Sequence, residues 1–232
     1  MSEAGEAMGE TTVNVCVAGA SGRLGRTIAA ELIRRSDTAL TGAMVGSDSV
    51  HLGADVGEIA GLGYAGVTAV VSLEDASRNA HVVIDASAPR VTAAIAARLA
   101  EAGGPALVTG VTGLSADEQA ALEAAAETIP VLQASNFSLG VAVVERLVAE
   151  AARALKESEF DLEIAETHHR GKADSPSGTA LSLGRAAARA RGTSLETAAA
   201  YERPRTGARR PVGEIGFSAQ RGGGVVGEHA AR

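Results

Sequence analysis

Apolar positions in the first 135 residues fall into short runs separated by helical patterns. Residues 13–18 form a compact apolar run, a glycine turn follows, and 24–35 read as a helix. Runs at 39–45, 81–85, 106–109 and 129–132 read as further strands, with helical stretches at 89–102 and 115–127 between them. Ser115 and Glu118 have the Ser-x-x-Glu spacing of a capping box at the start of the last of these helices. Strands alternating with helices at this spacing predict a parallel sheet covered on both faces.

After Asn136 the pattern changes. Leu139, Val143, Leu147, Ala151 and Leu155 recur every four residues, with Val144 and Val148 beside them and Glu145, Arg146, Glu150 and Arg153 on the other side, which predicts a long amphipathic helix. Residues 160–167 read as a strand, 168–178 as a loop and 179–190 as a helix; 202–211 form a basic surface loop, and 213–220 and 225–229 are strand candidates. Phe137, Phe160, Tyr201 and Phe217 all lie in this part, so the two halves also differ in composition. The expected division is 1–135 and 136–232.

Composition narrows the function classes. With 46% hydrophobic and 21% charged residues the chain reads as a soluble globular protein, not a disordered one. A net charge of -7 argues against a nucleic-acid surface. The acidic first ten residues lack the apolar stretch of a signal peptide, and 128–144, the longest uncharged stretch, is broken by Pro130, Asn136 and Gly140, so no membrane span is expected. Cys16 is the single cysteine; it reads as a small buried filler and fits a reducing, cytoplasmic setting.

Two segments carry candidate chemistry. The first is Gly19, Ala20, Ser21, Gly22, Arg23, Leu24 and Gly25, between a strand and a helix. Glycines there allow a tight turn and close backbone approach to a pyrophosphate, and the helix start offers free N–H groups; Arg23 and Arg26 can add cationic contacts. No acid or base stands at the end of the second strand, where Val45, Gly46 and Ser47 occur before Asp48, so the choice between NAD and NADP stays open. Gly110, Val111, Thr112 and Gly113 follow another strand, at the edge where such sheets bind ligands.

The second segment is Glu166-Thr-His-His-Arg-Gly-Lys-Ala-Asp-Ser-Pro-Ser-Gly-Thr179. Histidine suits proton transfer near neutral pH, and Lys172 can hold an anionic group or depress a neighbouring histidine. Ser177 or Thr179 can cap the next helix, whose N–H groups at Gly178 and Thr179 suit a carboxylate. Adjacent strand histidines point to opposite faces, so His168 and His169 are poor joint metal ligands, and no metal is expected.

At these residues the chain resembles the dihydrodipicolinate reductases of lysine and diaminopimelate biosynthesis. The resemblance runs over nearly the whole chain from Val13 and rests on Val17-Ala-Gly-Ala-Ser-Gly-Arg-Leu-Gly-Arg26, Ser135-Asn-Phe-Ser-Leu-Gly140, the histidine segment and Val226-Gly-Glu-His229. It implies an α/β fold, with a Rossmann-type parallel-sheet domain binding NADH or NADPH and an α+β mixed-sheet domain that holds a small dicarboxylate substrate and builds a homotetramer. It implies His168 as proton donor and Lys172 as the second catalytic residue. Substrate carboxylates would fall on His169, Ser177, Gly178 and Thr179. Cofactor contacts would fall on Gly19 to Leu24, on Gly110, Val111 and Thr112, and on Ser135, Asn136, Phe137 and Ser138. Val111 replaces a threonine of many members, Ala88 replaces a common arginine, and members continue beyond the position of Arg232, so a C-terminally shortened chain is expected. The rival expectations are a non-catalytic dinucleotide-binding protein and another Rossmann oxidoreductase of a small acidic imine.

Overall fold

The structure, a computed structural model, describes residues 12–203, 207 and 209–232; the acidic opening segment, with the signal-peptide reading made on it, and part of the basic segment 202–211 lie outside them. The chain divides into two compact units, Met1–Ala134 and Ser135–Arg232.

The first unit runs β1 (Val13–Ala18), α1 (Arg23–Arg34), β2 (Thr38–Met44), α2 (Val56–Ile59), β3 (Ala69–Val70), α3 (Leu73–Ser77), β4 (Val82–Asp85), α4 (Pro89–Glu101), β5 (Ala106–Thr109), α5 (Ala116–Ala126) and β6 (Val131–Gln133). Its six strands are all parallel, in the order β3-β2-β1-β4-β5-β6. Successive strand residues point to opposite faces, and both faces of β1 are covered. Val15 and Val17 join a core with Leu32 of α1 and Ile59 of α2, whereas Cys16 and Ala18 join one with Leu99 of α4 and Leu122 of α5. That is why residues 15–18 carry no polar position. Strand order reverses between β1 and β4, and the carboxyl ends of these two strands form the switch point where such sheets bind ligands.

The second unit runs α6 (Leu139–Ala154), β7 (Leu162–His168), α7 (Gly178–Ala190), α8 (Leu195–Ala198), β8 (Ala199–Ala200), β9 (Ile215–Arg221) and β10 (Glu228–Ala231). Its sheet is mixed: the order is β10-β7-β9-β8, with β10 antiparallel to β7 and the other pairs parallel. Ile164, Ile215 and Phe217 of the sheet pack with Leu183 and Ala187 of α7 and with Val148 and Ala152 of α6. The amphipathic helix is present, but Leu139, Val143, Leu147 and Leu155 of its stripe are exposed. The core contact falls on Val148 and Ala152, one residue, or about 100°, further round the helix.

Candidate active site

The glycine turn opens from β1 at the switch point. Gly19 has φ 77°, the left-handed region that glycine adopts at little cost. A Cβ on Gly25 would stand 2.1 Å from the Gly19 carbonyl oxygen, so α1 can rest on the turn only if position 25 lacks a side chain. Gly22 caps α1 without a side-chain hydrogen bond. The first-turn N–H groups therefore have no acceptor within the helix and carry the positive end of its dipole, which fits a pyrophosphate. Arg23 and Leu24 are exposed beside them, and Ala20 is buried. Arg26 is tied to the turn itself: Nε donates to the Ser21 carbonyl at 2.8 Å, and Nη2 lies 2.8 Å from His51 Nε2.

Next to the turn lies a carboxylate that sequence reading missed. Asp85 ends β4 and is 1% exposed. Its Oδ1 accepts the Ser87 N–H at 3.0 Å, and its Oδ2 accepts the hydroxyls of Thr92 and of Thr109, the latter at 3.0 Å. Thr109 Oγ1 in turn accepts the Val111 N–H at 3.2 Å. One buried acid thus fixes the loop after β4 and the loop Gly110–Gly113 after β5. The only hint in the sequence is that an apolar strand ends in an acid.

Ser135 to Ser138 lie in the second unit, before α6. Asn136 Oδ1 accepts the Ser138 N–H at 2.7 Å, and Asn136 Nδ2 donates to Thr179 Oγ1 at 3.0 Å. The structure thereby brings together a residue expected to touch cofactor and one expected to touch substrate. Phe137 is exposed.

The histidine segment is built by strand register. Glu166 and His168 lie two apart on β7 and share a face. β9 sets Arg221 opposite His168, and β10 sets His229 opposite Glu166. Glu166 Oε2 meets His168 Nδ1, while Oε1 accepts from Arg221 Nη2 at 2.9 Å and from the Ser177 N–H at 3.0 Å. Ser177 Oγ caps α7 by accepting the Ala180 N–H at 3.2 Å, and lies 2.8 Å from His229 Nε2. The rings of His168 and His229 meet edge to face at 5.0 Å. Burial raises the Glu166 carboxyl, but the Arg221 hydrogen bond, the Ser177 N–H and the His168 contact outweigh it and hold it below the usual carboxylate range. Burial, then the charge of His168, pushes His229 below the usual imidazole range, with Lys172 and Arg221 adding to the effect and Glu166 opposing it.

His168 is buried, whereas His169 is half-buried just past the end of β7. Lys172 pairs with Asp174 at 2.7 Å. Burial raises the Asp174 carboxyl, and Lys172 more than reverses this. The backbone N–H and hydroxyl of Ser177 are both committed inside the cluster, so the α7 groups left for a ligand are the first-turn N–H groups of Gly178 and Thr179. Glu166, His168 and His229 are a cluster with ligand atoms within 4.8 Å of one another. The carboxylate is already saturated by donors, and Arg221 and Lys172 stand close by, so the donor set suits a proton rather than a metal cation. Among the described residues no helix is long and apolar enough to cross a membrane.

Comparison with known proteins gives a consistent result. Residues 13–137 match the family description "Dihydrodipicolinate reductase, N-terminus" and residues 140–232 match "Dihydrodipicolinate reductase, C-terminus". The chain is 43% identical over 223 residues to the 4-hydroxy-tetrahydrodipicolinate reductase of Sinorhizobium fredii, covering 96% of this chain and 82% of that one. It is 42% identical over 217 residues to the enzyme of the same name from Rubrobacter xylanophilus, covering 94% and 80%. A dipicolinate-bound dihydrodipicolinate reductase from Paenisporosarcina sp. TG-14 shares the fold, with a TM-score of 0.66 at 17% identity, over 95% of this chain and 86% of that one. A protein of gentamicin A biosynthesis, solved with NAD, aligns with a TM-score of 0.54 at 19% identity, over 75% and 48%.

Proposed function

The chain belongs to the dihydrodipicolinate reductase family, and from that premise we propose how its residues carry the reduction of 4-hydroxy-tetrahydrodipicolinate to tetrahydrodipicolinate by NADH or NADPH in diaminopimelate and lysine biosynthesis. The first unit is the dinucleotide-binding domain. The N–H groups at the start of α1 hold the pyrophosphate, the loop Gly110, Val111 and Thr112, fixed through Asp85, makes further cofactor contacts, and Ser135 to Ser138 are the cofactor contacts of the second unit. Bound nicotinamide supplies the hydride.

The second unit binds substrate. Lys172, His169 and the N–H groups of Gly178 and Thr179 take the two carboxylates, with Ser177 holding the start of α7 in place. His168 is the proton donor. The observation that carries this is the His168 ring itself: Nδ1 is engaged by a buried carboxylate, which leaves Nε2 as the nitrogen that can give a proton to a carbon of the substrate. Loss of water from the hydroxylated substrate leaves a conjugated imine, hydride addition gives an enamine, and His168 protonates it. Assembly as a homotetramer through the second unit and a cytoplasmic setting belong to the same reading; light scattering of the purified protein tests the assembly.

The deciding experiment follows loss of reduced-nicotinamide absorbance while substrate is formed in situ from pyruvate and aspartate semialdehyde by the preceding enzyme. Turnover is expected, and the NADH to NADPH ratio answers the question raised at Val45. In the same assay His168→Gln should lower kcat by about 10²–10⁴ with KM little changed. Unaltered kcat would remove His168 from the mechanism. Cofactor binding without turnover in the unmodified chain would favour the binding-only alternative.

A further inference from the structure

A proton donor on a strand end needs its ring held and its tautomer fixed, and the residues that do this here lie outside the histidine pair. We propose that Glu166, clamped by Arg221 and the Ser177 N–H, is a positioning residue that sets His168 as the Nδ1–H tautomer with Nε2 turned toward Gly227. This rests on the reading of His168 as the proton donor.

Four observations support it. Glu166 is 3% exposed, and a buried carboxylate without partners is costly, so its place demands the full set of donors around it. Both oxygens are used: Oε1 by two donors from β9 and the α7 start, Oε2 by His168 alone. A carboxylate accepts but does not donate, so the Nδ1 facing it carries the hydrogen. On the other side of the ring, a Cβ on Gly227 would come 2.8 Å from His168 Nε2; the bare glycine leaves that nitrogen room.

The charged and titratable groups around His168 and His229 are Glu166 from the strand of His168, Arg221 from β9, and, acting on His229, Lys172, which pairs with Asp174 in the loop. Glu166 alone among them meets the His168 ring at a nitrogen. Burial and His168 push His229 below the usual imidazole range, and its Nε2 lies 2.8 Å from Ser177 Oγ. When His168 gives up the Nε2 proton, the Nδ1–H bond to Glu166 is kept and the ring need not turn. This is the arrangement by which a carboxylate orients a histidine base in hydrolases, where exchanging it for an amide can lower kcat by about 10⁴.

The test has two arms. In the unmodified enzyme, nitrogen NMR of labelled histidine above the His168 titration should show Nδ1 protonated and Nε2 bare. The opposite tautomer overturns the proposal, and this readout does not depend on turnover. In the second arm, Glu166→Gln is compared with Glu166→Asp and Arg221→Lys. Glu166→Gln should lower kcat about 10²-fold or more with KM changed only a few-fold, move the alkaline limb of the kcat profile to lower pH, and leave NADPH binding intact. Glu166→Asp should recover part of both effects. A folded Glu166→Gln enzyme with unchanged kcat, or with reduced kcat and an unmoved alkaline limb, overturns the positioning role. If Glu166→Gln does not fold, the tautomer and the Arg221→Lys pH profile decide. Should His168→Gln retain turnover, the functional reading fails, yet the tautomer measurement still judges the Glu166–His168 pair.

Discussion

Gly25 has no room for a methyl group, because the added carbon would press on the Gly19 carbonyl at 2.1 Å. Gly25→Ala must push α1 off the turn, at roughly 1–3 kcal/mol, the scale of overpacking. Its expected signature is a lower Tm together with NADPH binding weakened at least about tenfold, measured by calorimetry, where tenfold is 1.4 kcal/mol. Gly227→Ala probes the other unit: kcat should fall while NADPH affinity stays, and an unchanged kcat would show that His168 Nε2 does not need that space. Cys16 is fully buried, and burial pushes its thiol up to about 12, so thiol reagents should leave the native protein unmodified and react only on unfolding. Glu166 ties stability to acidity. Its folded carboxyl titrates below its unfolded value of about 4.3, so its contribution is complete above that value and is lost as pH falls through the lower folded one. Acid unfolding followed by circular dichroism should therefore be less steep in Glu166→Gln.

At the scale of elements, the helix cap that sequence spacing announced is complete: the Ser115 side chain accepts from Glu118 N–H, and the Glu118 side chain accepts from the Ser115 N–H. Ser115→Ala should cost about 1 kcal/mol, read as a lower Tm with kcat unchanged. Elements with a helical period or a compact apolar run were legible: β1, α1, β4, α4, α5 and α7 stand within a residue or two of their predicted bounds. The short elements α2, α3 and β3 were not, because two to five residues give no helical period and, unlike β4, none of them is a compact apolar strand run. The stripe on α6 shows a different limit. Periodicity gives the helix, but which side meets the core depends on the partner, and α7 offers its alanines to Val148 and Ala152. In the site, Lys172 and the two histidines stood out because their chemistry is dense along the chain. His229 stood within the Val226–His229 motif, but that it and Arg221 reach Glu166 and His168 follows from sheet register, which a single sequence does not display. Asp85 was hidden in the same way, since its partners Thr92 and Thr109 are joined to it by folding alone.

At the scale of the whole chain, two units with separate cores divide the work by composition: the first is dominated by aliphatic residues, and the second holds the segment densest in titratable groups. NADPH at a hundred times Kd should stabilise the first unit by about 2.7 kcal/mol and so raise its unfolding temperature, and at the same NADPH concentration this shift should shrink in Gly25→Ala. Scanning calorimetry reads both. The Asp85 network has a consequence for anyone who would redesign the cofactor choice. Because one acid anchors the loops after β4 and β5 at once, changes there propagate to both, and a swap of either loop must bring Ser87, Thr92 and Thr109 with it. Residues 46–49, just after β2, are held among the described residues by short-range bonds: the Ser49 N–H to the Gly46 carbonyl, the His51 N–H to Ser49 Oγ and the Leu52 N–H to the Ser49 carbonyl. That stretch is the replaceable module of the domain, where the discrimination between two dinucleotides can be rewritten while the rest of the cradle is left as it stands.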